Sequence, residues 1–267
     1  WDGPSWTKLG SDIDGEAAND RSGFSVSLSE DGNRVAIGAP AITGSGHTRI
    51  YEWDGTSWTQ LGSDIDGEAA EDRSGLSVSL SEDGNRVAIG APANDDGPGV
   101  GSGHTRIYEW DGTSWTQLGS DIDGEAEGDN SGHSVSLSED GNRVAIGAHL
   151  NDENGTSSGH TRIYEWDGTS WTQLGSDING GSASEKSGTS VELSAEGTTV
   201  AIGAPWNSET AGFGGNVRVF SLPAPPEPPA PAAPAPYSGP LITSVGSGNS
   251  LSAAGETVTI NGQRLGS

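Results

Sequence analysis

The chain contains no cysteine and no methionine. Disulfides and thiolate metal sites are therefore excluded; the absence of cysteine is neutral about compartment, although it suits an exported protein that must avoid random oxidation. Basic residues are scarce, 12 Lys and Arg against 38 Asp and Glu, for a formal charge of -26. Nucleic acid is excluded as a partner, because phosphate recognition needs clustered Lys and Arg. A field of this sign favours cations and solubility, and it sets copies of the chain against one another. No apolar run approaches the ~18 residues of a membrane-spanning helix. The apolar fraction is only 31%, and 43 glycines in 267 residues argue against helix. No signal peptide is visible, and the chain opens in mid-repeat at Trp1, which reads as a piece of a longer precursor.

What is present is repetition. Four near-copies of about 55 residues open at Trp1, Trp53, Trp110 and Trp166, the mark of stacked supersecondary units. They differ mainly just before each Ser-Gly pair and just after each Val-Ala-Ile-Gly, so function is to be sought in those stretches. In the second copy, 77–81 alternates Val78 and Leu80 with serines, which predicts one buried and one wet face. Asp83-Gly84 is a hairpin signal, and Val87-Ala88-Ile89 after it reads as a buried inner strand. Two further runs follow, 105–110 and 114–118, joined by Asp111-Gly112. Each repeat is thus four short antiparallel strands: A (SVSLS), B (RVAIGA), C (TRIYEW) and D (SWTQLG).

The expected fold is all-β, a β-propeller of four-stranded antiparallel blades; a β-solenoid or a string of small sheets is the alternative. The chain starts with a D strand at 5–10, and its last repeat-derived strand is a C strand at 216–221. Pairing of these two would close a ring of four blades, and loss of upstream blades is the competing reading.

The segment FSVSLSEDGNRVAIGAP at 24–40 resembles the FG-GAP repeat of integrin-α-type β-propellers. The Gly-Ala-Pro element is Gly38-Ala39-Pro40, Gly90-Ala91-Pro92 and Gly203-Ala204-Pro205, with His149 in place of the proline in the third copy. The Phe-Gly element is weaker: Gly-Phe-Ser at 23–25, Gly-Leu-Ser at 75–77, Gly-His-Ser at 132–134 and Gly-Thr-Ser at 188–190. The resemblance covers residues 1–222 and implies an extracellular, cell-surface, non-enzymatic propeller for adhesion or ligand binding. In that family a calcium loop of the type DxDxDGxxD lies between the first strand and the Gly-Ala-Pro strand. Here that connection is the turn Glu30-Asp31-Gly32-Asn33 and its equivalents, too short to wrap an ion. The family's metal site is not carried over.

A relocated Ca2+ loop is the candidate instead. Between strand D and the next strand A, acids recur at relative positions 1, 3, 5 and 9: Asp12, Asp14, Glu16 and Asp20; Asp64, Asp66, Glu68 and Asp72; Asp121, Asp123, Glu125 and Asp129. Alternate carboxylates on a flexible loop can converge on one calcium ion; the bland reading is a solvated acidic rim with Asp-Gly turns. The fourth copy, Asp177, Asn179, Gly181 and Glu185, has lost charge at two of these positions.

The B–C loops at 41–46, 93–103, 150–159 and 206–215 share a rim with these acidic loops in an up-and-down blade. Loops that vary on a repeated scaffold are where binding sits, which makes Asn94, Asp95, Asp96, Asn151, Asp152, Trp206 and Phe213 the candidate contacts. Trp6, Trp58, Trp115 and Trp171, with Trp53, Trp110 and Trp166, recur at blade-equivalent positions and are read as packing between blades. His47, His104 and His160 share one position at the start of strand C, where a structural hydrogen bond is expected. No nucleophile and base constellation is recognisable.

Residues 223–240 are rich in Pro and Ala and read as an extended spacer. Residues 241–267 resemble the opening of an IPT/TIG immunoglobulin-like domain, on Ile242, Gly255, Val258, Thr259, Ile260 and Gly262 with Pro240 just before them. Two functions follow: a surface adhesion propeller that binds a glycan or protein at its variable rim, or a structural subunit of an extracellular filament that contacts copies of itself.

Overall fold

The structure, a computed structural model, describes residue 3 and residues 5–209 and 212–225. The spacer beyond 225 and the immunoglobulin-like segment at 241–267 lie outside the described residues. No helix occurs among the described residues, and so none is long and apolar enough to cross a membrane.

Blade 1 is β1 (Ser25–Leu28), β2 (Arg34–Ala39), β3 (His47–Trp53), β4 (Trp58–Gln60) and β5 (Ile65–Asp66). These form an antiparallel sheet in the order β1-β2-β3-β4, in which β4 and β5 share the outer edge of β3. Blade 2 is β6 (Ser77–Leu80), β7 (Arg86–Ala91), β8 (His104–Trp110), β9 (Trp115–Gln117) and β10 (Ile122–Asp123). Blade 3 repeats it as β11 (Ser134–Leu137), β12 (Arg143–Ala148), β13 (His160–Trp166), β14 (Trp171–Gln173) and β15 (Ile178–Asn179). Blade 4 has three strands, β16 (Ser190–Leu193), β17 (Thr199–Ala204) and β18 (Asn216–Ser221). The predicted A, B and C strands are present in all four blades and D in blades 1 to 3, where it is broken in two so that Ile65 and Ile122 reach the core; the D strand expected at 5–10 is not formed.

The turns explain the register. In the A–B turn, Asp31 accepts hydrogen bonds from the Ser29 hydroxyl and the Asn33 backbone N–H at 2.7 and 2.9 Å, while Gly32 takes φ +69°. In the C–D turn, Asp111 accepts from the Thr113 hydroxyl and from the Ser114 and Thr113 N–H groups, which holds its carboxyl down at about 2. These aspartates are consumed by turn geometry.

Successive blades join through apolar clusters. Ala36, Ile50 and Ile65 of blade 1 pack on Val78, Leu80, Val87 and Ile89 of blade 2, and the pattern recurs at the next two boundaries. Each buried Leu, Ile or Val contributes about 1.5–3 kcal/mol. The expected wet face of strand A is corrected here: its serines face the next blade. Ser27 Oγ accepts the Leu80 N–H at 2.9 Å, and Ser79 and Ser136 do the same for Leu137 and Leu193. Glycines set the spacing. A Cβ on Gly38 would overlap the carbonyl oxygen of Gly75 in the next blade, and Gly90 and Gly147 meet Gly132 and Gly188 in the same way.

Among the described residues the first and last blades do not pair with each other. β1 lies beside β6, β6 beside β11 and β11 beside β16, and no comparable contact joins β1 to β16. The suggested closure by a 5–10 strand on β18 is therefore corrected. Residues 9–10 occupy the place a D strand takes ahead of each blade: Leu9 O accepts the Trp58 indole N–H at 3.2 Å, as Leu61 O accepts that of Trp115 at 2.8 Å. The two ends consequently expose their blade faces, Val26 and Leu28 at one and Val217 and Val219 at the other, each 60% or more accessible.

The third blade's two departures from the repeat meet each other. His133 stands where Phe24 and Leu76 do, His149 replaces the proline, and their rings lie 3.8 Å apart. Burial, then the charges of His133 and Lys186, push His149 down to about 3.

Gly90→Ala is expected to lower stability by about 3 kcal/mol in denaturant unfolding, because the Gly132 backbone of the next blade must move. Gly203→Ala, which meets only the rotatable Ser190 side chain, should cost less. The folded state refuses a proton on His149 that the unfolded chain accepts below its ordinary 6.5. Stability from this pair is therefore complete above pH 6.5 and lost as pH falls toward 3. His133→Leu/His149→Pro should flatten the fall in Tm measured between pH 7 and 4.

Candidate functional site

The B–C and D–A connections share one rim because backbone bridges tie them together: Gly46 to Ser74, Gly103 to Ser131 and Gly159 to Ser187. The ninth-position acids are staples within it. Asp72 caps the Ala69 N–H at 2.8 Å and accepts the Asn94 amide at 3.2 Å. Asp129 does the same for Ala126 and Asn151, at 3.1 and 3.0 Å, and Glu185 for Gly181 and Asn207. Asp72, Asn94, Asp129 and Asn151 are all buried. Asn94 and Asn151 thus join loop to loop and present no free group at the surface. Asp20 caps Ala17 at 2.7 Å on the exposed first loop.

The other loop acids separate. Asp12 pairs with Lys8 at 3.1 Å. Asp14, Asp66 and Asp123 use their backbone carbonyls, which accept from Arg49, Arg106 and Arg162 at 2.7, 2.7 and 2.6 Å. Those arginines sit on strand C beside Tyr51, Tyr108 and Tyr164, about 5.6, 5.6 and 5.5 Å from the ring centres. The four acids of one loop are not brought to a single point, because in loops 2 and 3 the stretch holding positions 2 and 3 runs as the short strands β5 and β10.

Acids from successive loops meet instead, around the histidine at the start of strand C. The groups are Glu16, His47 and Asp64; Glu68, His104 and Asp121; and Glu125, His160 and Asp177 with Glu153, the donor atoms of each lying within 4.8 Å of one another. The hydrogen bond expected for this histidine position is not formed at Nδ1 of His104 or His160. His104 Nδ1 lies 3.7 Å from Glu68 Oε2 and 3.8 Å from Asp121 Oδ2. For His160 the distances to Glu125 and Asp177 are 3.7 and 4.0 Å. Burial, then the neighbouring Arg162, pushes His160 down to about 4, and burial lowers His104 likewise. Burial raises Glu68 and Glu125 against the pull of Arg106 and Arg162. The signal was present in the sequence as a histidine recurring in register with two acids, but those acids belong to different loops.

The exposed rim carries Asp95, Asp96 and Asp152. Asp95 and Asp152 each brace their own loop through a backbone N–H, of Gly101 at 2.7 Å and of Ser157 at 2.6 Å. Trp206 and Phe213 stack edge-to-face at 5.5 Å under the Lys186 ammonium, an exposed aromatic corner. Between blades 1 and 2 the rim forms an open cavity of about 420 Å³ lined by Ile42, Glu71, Arg73, Asp95 and Val100 among others. The repeated tryptophans lie elsewhere: Trp110 and Trp115 pair at 5.5 Å across the C–D turn and close over Gly62 of the preceding blade. On the opposite rim the neighbouring carboxyls of Glu139 and Glu30 raise Glu82 to about 8.

The FG-GAP repeat family model matches residues 121–164. Comparison with curated proteins gave no match. Among solved structures the chain is similar to Chaetomium thermophilum Sqt1, with a TM-score of 0.51 at 15% identity over 77% of this chain and 45% of that one. Kuenenia stuttgartiensis hydrazine synthase gives 0.49 at 9% identity, covering 78% and 48%. The β-propeller domain of Myceliophteria thermophila Cps50 (Swd1) gives 0.48 at 12%, covering 74% and 53%. The chain spans about half the length of these structures, and at such identity the likeness to Sqt1 concerns fold alone. Residues 121–164 match the FG-GAP repeat, and the described residues form an all-β unit of four repeated blades in the β-propeller manner.

Proposed function

We propose that this chain is a non-enzymatic binding module of an extracellular, cell-surface protein, and that it holds a glycan or protein ligand at its B–C/D–A rim. The observation that carries this reading is the cavity between blades 1 and 2. Its walls come from stretches that differ between repeats, Ile42, Glu71, Arg73, Asp95 and Val100, on a scaffold that otherwise repeats. Apolar patches from Ile42 and Val100 beside one guanidinium and two carboxylates suit a neutral polyhydroxylated or peptide surface. The net charge disfavours a polyanion. The extracellular setting rests on the FG-GAP resemblance.

In retention assays on a glycan array and on intact cells, Arg73→Ala combined with Val100→Ser should reduce binding at least about tenfold, the scale of a lost contact worth ~1.4 kcal/mol. Its Tm should stay unchanged. Equal retention of variant and parent would overturn the rim as the binding surface.

The filament reading draws on a separate observation. The face exposed by Val26 and Leu28 matches the one that Val78 and Leu80 bury against blade 1. Val219 stands where Ile50 does on the opposite face. Chains stacked head to tail would repeat the internal blade boundary. Sedimentation velocity at rising concentration should then show open-ended oligomers that Leu28→Lys returns to monomer; a monomer throughout would remove this reading.

A further inference from the structure

We propose that Glu125, Glu153, His160 and Asp177 form a binding site for a divalent transition-metal cation such as Zn2+, with simpler versions at Glu68, His104 and Asp121 and at Glu16, His47 and Asp64. The donor atoms of each group lie within 4.8 Å of one another. The gaps of 3.7 and 4.0 Å from His160 Nδ1 to the two facing carboxylate oxygens exceed hydrogen-bond length. A cation at ~2.0–2.2 Å from each donor would hold them ~3–4 Å apart, so these gaps close with small shifts.

His160 and His104 are 0% and 1% exposed, and their Nδ1 atoms have no hydrogen-bond partner. A buried polar atom left unpaired is destabilising, and an ion bound at Nδ1 would offset that cost. The surrounding groups aim the carboxylates. Gln173 donates to Asp177 Oδ1 at 2.6 Å and leaves Oδ2 facing the imidazole. Arg162 lies 3.6 Å from Glu125 Oε1 and leaves Oε2 on the imidazole side. Gln117 and Arg106 repeat this around His104, and Gln60 and Arg49 flank the carboxylates of the first group. Such outer partners are the usual support of a metal centre.

The donor set selects the class of ion. One imidazole nitrogen with two or three carboxylates suits zinc or manganese, whereas calcium takes six to eight oxygens. Glu125 enters blade 3 and Asp177 leaves it, so a bound ion would fasten two successive rim loops to strand C. The site stands whether or not the rim binds a ligand.

The test is calorimetric titration of ZnCl2 into the full chain, produced without a polyhistidine tag and stripped with EDTA. It is run in the parent and in His133→Leu/His149→Pro, so that the imidazole pair does not supply the heat. One tight step at the four-donor site is expected, followed by weaker ones, with a rise in Tm on zinc addition. Glu153→Gln, at an exposed position, and Gln173→Leu should each weaken the tight step about 10–100-fold. His160→Gln should abolish it while leaving the weaker steps. Absence of a saturable zinc step, a tight step unchanged by Glu153→Gln, or displacement by an equal concentration of Ca2+ would overturn the proposal.

Discussion

The close approach of two glycines across each blade boundary governs the geometry of the molecule. The Gly-Ala-Pro glycine of one blade faces the carbonyl of the glycine that opens strand A of the next, at Gly38 and Gly75, Gly90 and Gly132, and Gly147 and Gly188. With no Cβ between them the inner strands lie near enough for Ser27 to hydrogen-bond the Leu80 backbone and for Val78 and Leu80 to reach Ala36 and Ile50. Arg34 completes the joint, pairing with Glu52 at 3.0 Å on its own sheet and donating to the Gly84 carbonyl on the next. Apolar burial, backbone hydrogen bonds and a guanidinium bridge all depend on that separation.

Repetition of the joint gives the rim its character. The second, third and fourth D–A loops are held from three sides: by their own ninth-position acid, by an asparagine from the B–C loop, and by the strand-C arginine that binds their backbone, whereas the first has Ile42 in place of the asparagine. Residues left over from these duties are the ones that differ between copies, such as Ile42, Asp95 and Val100. The scaffold thus tolerates variation at the rim without cost to its core. The same economy places an imidazole between acids of neighbouring loops at successive boundaries.

The strand pattern was legible because A, B, C and D each follow from local alternation and Asp-Gly turns, and these held in the structure. Three features were not legible. Strand A looked half-exposed, since serine is polar, but its hydroxyls bond to the next blade. Asp64, Asp66, Glu68 and Asp72 looked like one ion loop, since they are close in sequence, but Ile65 and Asp66 pair with strand C and send the acids to different partners. Asn94 looked like a contact residue, since it lies in a variable loop, but it turns inward to Asp72.

What the sequence by itself determined is the blade: its four strands, its turns and its recurrence, all set by interactions within about ten residues. What only the tertiary structure decided is everything between blades. Whether the first and last blades pair depends on the meeting of Val26 and Leu28 with Val217 and Val219, residues nearly 200 positions apart in the numbering. Which acids share a histidine depends on two loops separated by a whole repeat. Contacts of that range carry no local pattern, because they arise from the angle and spacing at which one sheet is set against the next.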